Sequence, residues 1–319
     1  MDKSLQKLDS FYIKIIALIL MTLDHVAILL NALSTAKGNS ALGNVANVMF
    51  YIGRIAFPLF AFLLVEGFNH TSNRNKYLFR IGIITAITLV LHINAYYAMR
   101  NEEKILSLGG NPLLDLLMCF LTLYFLSMKR AKKFYAVLPI SYIVLSFIVL
   151  LYEHNESTTI LWFPDYLRCS YNLLGLFITL AFYFAPILTD FIVKRRLNQT
   201  EINYEGFKLT SSYQKLKNIA AITLFVIVVL IFWIIRYIGM DQSGFSYSDP
   251  MNMSIQSYCL IAALPIFFYS GKRGYDSKNF RIFEYVYFPL HVAIIGLLFV
   301  ILYLLHELQN RFCLEEPQQ

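Results

Sequence analysis

Phe11-Tyr-Ile-Lys-Ile-Ile-Ala-Leu-Ile-Leu-Met-Thr-Leu-Asp24-His25-Val-Ala-Ile-Leu-Leu-Asn-Ala-Leu33 is a continuous apolar run with two ionisable neighbours in its middle. As a helix rising ~1.5 Å per residue, it is long enough to cross the ~30 Å hydrocarbon layer of a bilayer. An aspartate at such a depth costs roughly 2.5–3.5 kcal/mol on insertion scales, and intramembrane ionisable residues mark functional sites or proton paths. Asp24 and His25 are therefore the first candidates for function.

Similar runs recur at Val45–Phe68, Tyr77–Tyr97, Pro112–Met128, Phe134–Leu151, Tyr171–Val193, Lys217–Gly239, Ser254–Ser270 and Phe283–Leu305. The chain is 58% hydrophobic and only 15% charged, whereas soluble domains carry about a quarter charged residues. The predicted fold is all-α: a polytopic transmembrane helix bundle of about nine spans, with residues 1–319 forming one integral-membrane domain. The first run exceeds the ~7–15 apolar residues of a signal peptide, so it is expected to remain as a helix.

Positive charge gives the orientation, because short loops rich in Lys and Arg stay cytoplasmic. With nine spans, Lys3, Lys7 and Lys14 share a side with Arg74, Lys76 and Arg80, and with Lys129, Arg130, Lys132 and Lys133. The clusters Lys194–Arg196, Lys208–Lys217 and Lys272–Arg281 fall there too, leaving Lys37, Arg100, Lys104, Arg168 and Arg311 opposite. This predicts a cytoplasmic N-terminus, in a cytoplasmic (inner) membrane. The net charge of +7 then lies on the cytoplasmic face, where it suits anionic lipid headgroups or a phosphate-bearing ligand. Nucleic acid is not an expected partner, since no recognition module separates these scattered basic turns. Cys119, Cys169, Cys259 and Cys313 lack zinc-site spacing, and no metal is expected.

Prolines at Pro58, Pro186, Pro265 and Pro289 lie inside apolar runs. Each removes an amide, and Pro58 frees the carbonyl of Arg54. Arg54 descends antiparallel to the first run and is expected to pair with Asp24, leaving His25 to a different partner. The alternative is purely structural: an ion pair locking two helices, with His25 bonded to a carbonyl. His92, Asn94, Asp115, Asn172 and Arg236 fall at a similar outer depth, suggesting a water-filled vestibule. His291 is expected ~13 Å in from the cytoplasmic end of the last span. No GxSxG, HExxH, Walker or GxGxxG pattern is present, so the corresponding hydrolase, protease, ATPase and dinucleotide chemistries lack support. A neutral imidazole can deprotonate an amine or hydroxyl attacking a carbonyl, and an arginine can stabilise the oxyanion. The competing class is a proton-coupled transporter using Asp24, His25 and Arg54.

Three segments carry a family resemblance: Lys14-Ile-Ile-Ala-Leu-Ile-Leu-Met-Thr-Leu-Asp-His25; Ile52-Gly-Arg-Ile-Ala-Phe-Pro-Leu-Phe-Ala-Phe-Leu-Leu-Val-Glu-Gly67 with His70-Thr71; and Tyr269-Ser-Gly-Lys-Arg-Gly274 with Tyr287-Phe-Pro-Leu-His291. Together they resemble the TraX family, whose namesake acetylates the N-terminus of conjugative pilin, and beyond it the multi-spanning membrane acyltransferases. The stretch from Tyr97 to Met253 takes no part. The resemblance implies acetyl-CoA as co-substrate, with an amine or hydroxyl acceptor on a pilin or a surface polymer. It implies His25 as base, with Asp24 and Arg54 fixing the site. It also implies that Lys129, Arg130, Lys132, Lys133, Lys272, Arg273 and Arg281 receive the CoA phosphates. Because CoA arrives from the cytosol, His291 stands as the alternative base.

Overall fold

A computed structural model describes residues 5–99, 110–156, 160–197, 203–241, 249 and 251–314, and among them every regular element is helical. Lys3, Arg100 and Lys104, used above for orientation, lie outside the described residues, as do the side chains of Arg311 and Cys313. The helices are α1 (Ser10–Lys37), α2 (Ser40–Gly53), α3 (Ala56–His70), α4 (Arg74–Met99), α5 (Pro112–Leu126) and α6 (Val137–Glu156). They continue as α7 (Asn172–Leu197), α8 (Tyr204–Lys208), α9 (Ser211–Asp241), α10 (Met253–Gln256), α11 (Ala263–Phe267) and α12 (Lys278–Leu314). Among the described residues, seven helical stretches are long and apolar enough to cross a membrane, and Pro112–Leu126 and Met253–Phe267 are shorter apolar helices. Each coincides with one of the nine apolar runs. The chain is thus a multi-pass membrane bundle.

Local signals explain the boundaries. The Asp9 carboxylate accepts the Tyr12 N–H at 3.2 Å and opens α1. Gly38, at φ +60°, ends it in the left-handed conformation that glycine adopts without a steric penalty. Asn39 then caps α2 through the amides of Ala41 and Leu42, at 3.0 and 3.3 Å. The second run is interrupted where Pro58 predicted. α2 stops at Gly53, and α3 begins at Ala56 with Pro58 in its first turn, where a missing amide is tolerated.

Contacts between turns confirm that the helices alternate in direction. At the end where α1 begins, Leu8 N–H donates to Phe268 O and Ser270 N–H to Leu8 O, at 2.9 and 2.7 Å. Also at that end, Lys217 pairs with Glu66 at 2.8 Å and Arg74 donates to Ser127 at 3.0 Å. At the far end, Asn111 N–H donates to Arg168 O at 2.8 Å, and Arg236 pairs with Asp249 at 2.9 Å. The basic turns therefore gather at one end of the bundle. Lipid tails are as apolar as leucine, so helices in a bilayer associate through close packing rather than through a hydrophobic drive. Gly53 and Gly175 supply it: a Cβ on Gly53 would come within 2.9 Å of Asp24 Cα, and one on Gly175 within 2.8 Å of the Phe57 ring.

Candidate functional site

Asp24 and Arg54 form the expected ion pair between α1 and the α2–α3 junction, with both side chains 16% exposed. The break in the helix places Arg54 there, and the absence of a Gly53 side chain lets α2 approach Asp24 closely enough to complete the pair. Arg54 Nε is buried without a hydrogen-bond partner among the described residues.

Successive residues on a helix diverge by ~100°, and His25 accordingly turns away from Arg54. It meets His291 instead. The two rings lie edge to face with centroids 4.8 Å apart, and His291 Nε2 is 3.3 Å from His25 Nδ1. The expected depth of His291 is therefore corrected: it lies level with His25, not nearer the helix starts. The reason is the polar opening of α12, which begins at Lys278, five residues before the apolar run. At ~1.5 Å per residue, His291 lies about 20 Å into α12 and His25 about 22 Å into α1.

The two helices run parallel and in register. Lys14 pairs with Glu284 at 2.8 Å, Phe11 packs on Phe280 at 4.8 Å, and Thr22 shares a 2.6 Å hydrogen bond with Tyr287. Register is set below the site, where Ser10 N–H donates to Lys272 O at 2.9 Å. A Cβ on Gly274, whose φ is +71°, would overlap the Asp9 carboxylate. Leu18, Met21, Ala56, Tyr287 and Phe288 then pack as one small core, so all three segments of the resemblance converge below the histidines.

Hydrogen bonding assigns the protons. His25 Nδ1 lies 2.8 Å from Met21 O and His291 Nδ1 lies 2.9 Å from Tyr287 O. Carbonyl oxygens only accept, so each Nδ1 carries the hydrogen. His291 Nε2 is then a lone pair facing His25 Nδ1–H, and His25 Nε2 is a second lone pair without a partner among the described residues. A base whose far nitrogen is held by an acceptor is the arrangement of a catalytic imidazole. Sequence reasoning missed Thr22 and Tyr287. The Tyr287 ring stacks on His291 at 5.2 Å, and its position one turn earlier on the same helix face was the available signal.

The remaining candidates separate. Lys272 and Arg273 lie on the turn docked against α1 and Arg281 in the first turn of α12, and Arg273 and Arg281 both pair with Asp276 at 2.9 and 3.1 Å. Lys129, Arg130, Lys132 and Lys133 lie on the exposed turn between α5 and α6, at the same end of the bundle. The expected vestibule is not a single chamber. Asp115 is fully buried and accepts the amides of Ser170, Tyr171 and Asn172 at 2.6–3.1 Å, anchoring the start of α7. Arg236 is taken by Asp249, and Asn94 donates to Val90 O at 2.7 Å on an exposed face.

A family model described as TraX protein matches residues 10–185. The match includes Asp24, His25, Arg54 and the Lys129–Lys133 turn, and it ends before the Lys272–His291 segment. A probable fimbrial assembly protein FimC, serogroup H1, from Dichelobacter nodosus is 40% identical over 73 residues, covering 23% of this chain and 27% of the relative. The chain thus matches only about a quarter of that relative's length. No solved structure matches.

Proposed function

The chain belongs to the TraX family, and from that premise we propose that it is a membrane-embedded acetyltransferase. It moves acetyl from acetyl-CoA, supplied at the basic, cytoplasmic end of an inner-membrane protein, to an amine or hydroxyl. A pilin or peptide N-terminus is the favoured acceptor. The observation that carries this reading is the contact of His25 with His291. Two distant segments of the chain bring together a base and the group that orients it, beside the Asp24–Arg54 pair.

The attacking group is a neutral amine or a hydroxyl, and His25 Nε2 takes its proton as the new bond to the thioester carbonyl forms. His291 is a positioning residue. Its Nε2 and the Met21 carbonyl both accept from His25 Nδ1–H, holding the ring and stabilising the imidazolium. Arg54 is likewise a positioning residue: its ion pair with Asp24 fixes the turn of α1 that carries His25. The carbon–sulfur bond then breaks, and the leaving thiolate recovers the proton from His25. Acetylated acceptor and free CoA thiol balance the exchange. Lys272, Arg273 and Arg281, together with Lys129, Arg130, Lys132 and Lys133, are the cations that hold the CoA phosphates.

Membrane vesicles carrying the chain, given radiolabelled acetyl-CoA and a synthetic peptide with a free apolar N-terminus, are expected to yield labelled peptide. Vesicles that label neither the peptide nor any endogenous macromolecule above background would overturn the proposal. Proton-dependent solute uptake in the same vesicles would point to transport instead.

A further inference from the structure

Below the histidines, a cavity of about 190 Å³ runs between α1, α3, α4, α5 and α12. Its two ends differ chemically. Lys14 and Glu284 stand at the end nearer the helix starts, whereas Leu63, Ile84 and Leu116 form apolar walls beyond them. Phe288 lines the inner end, with its ring 5.5 Å from that of His291. Counting ~1.5 Å per residue, Lys14 lies about 6 Å into α1, Phe288 about 15 Å into α12, and the histidines just beyond.

Cations outnumber anions at the mouth. Lys14 pairs with Glu284, while the Arg80 guanidinium lies 6.0 Å from the ring of Tyr285, another lining residue. Arg281, half-exposed and paired with Asp276 at 3.1 Å, sits one helical turn before Tyr285, so that three cations face the two anions Glu284 and Asp276. The space suits a ligand with an anionic end at the mouth and a slender chain that carries its other end towards Phe288.

We propose that the cavity is the passage for the pantetheine arm of the acyl-CoA donor. The phosphates stay at the mouth, where Lys14 and Arg80 add to the basic turns named above, and the thioester passes Phe288 to reach the His25–His291 pair. This rests on the acetyltransferase reading and adds a route to it. It also answers how a cytosolic donor reaches a base about 16 Å further along α1 than Lys14. The passage assigns phosphate contacts to Lys14 and Arg80, neither of which stood among the residues expected to bind CoA.

The full chain purified in detergent is the material for the test, with two probes: CoA and its adenosine-phosphate half lacking pantetheine. Leu63→Trp and Ile84→Trp narrow the passage from α3 and α4 respectively. Each is expected to weaken CoA binding by about tenfold or more while leaving the adenosine-phosphate half within about twofold. Arg80→Gln, at an exposed position, carries the test should the bulky variants misfold; it is expected to weaken both probes by about threefold or more. Unchanged CoA affinity in the folded variants overturns the passage but leaves acetyl transfer standing. Loss of a co-purified phospholipid in place of CoA makes the occupant a lipid chain and overturns it too. Wild-type protein that binds neither probe, and transfers no acetyl group, overturns the underlying reading instead.

Discussion

Asp115 and His25 are both ionisable groups within apolar helices, and the protein treats them in opposite ways. Asp115 is fully buried, and backbone amides of three consecutive residues, Ser170 to Asn172, converge on its carboxylate. Nearby, the Arg168 guanidinium reaches Glu153, Asp165 and the Phe163 carbonyl. These groups are committed to holding the loop between α6 and α7. His25 has one nitrogen held by Met21 O and His291, and its other nitrogen is without a partner among the described residues. Satisfied polarity fixes the fold on the α5–α7 side, and residual capacity distinguishes the α1–α12 side.

That contrast predicts opposite phenotypes. His25→Ala should lower acetyl transfer by about 10²–10⁴-fold, the usual contribution of a general base, while shifting thermal unfolding only slightly. Asp115→Ala should do the reverse. It strands three buried amides at ~1–3 kcal/mol each, so a loss of at least about 3 kcal/mol is expected. Thermal unfolding and yield in mild detergent measure it, alongside specific activity per folded molecule. A folded, fully active His25→Ala protein would remove the distinction, as would an inactive Asp115→Ala protein of unchanged stability.

The bundle was legible in the sequence because span length and positive charge are carried by composition, which survives without coordinates. The Asp24–Arg54 pair was legible for a related reason: adjacent antiparallel spans bring equal depths together. The partner of His25 was not. α12 opens with Lys278-Asn-Phe-Arg-Ile282, which hydropathy reads as loop, although a helix projecting beyond the hydrocarbon needs no apolar residues. Missing those five residues misplaced His291 by about 7–8 Å. Asp115 was misassigned to a vestibule because its partners are backbone amides, which no side-chain identity announces.

Within the site itself, the two histidines have different roles. If His291 acts by accepting from His25 Nδ1–H, then His291→Ala should lower kcat by about 10²-fold, with little change in KM. His291→Gln, whose amide oxygen can occupy the place of Nε2, should recover to within about tenfold of the native rate. Equal losses in both variants would mean that ring packing on Tyr287 matters more than the hydrogen bond. A greater loss than for His25→Ala would exchange the roles of the two histidines.

The smallest expected effect is at His70, and it isolates what the histidine pair adds. His70 Nδ1 bonds the Glu66 carbonyl at 2.8 Å, four residues back, just as His25 and His291 bond theirs. Local geometry is therefore shared. What His70 lacks is burial, since its side chain is 65% exposed, and, among the described residues, a second ring beside it. His70→Ala should leave acetyl transfer within about twofold and stability within about 0.5 kcal/mol of the native chain. Parallel rate and unfolding measurements on His70→Ala and His25→Ala make the comparison direct. Should the two variants lose activity alike, the bond from Nδ1 to the preceding turn would carry the effect, and the contact between α1 and α12 would no longer account for the site.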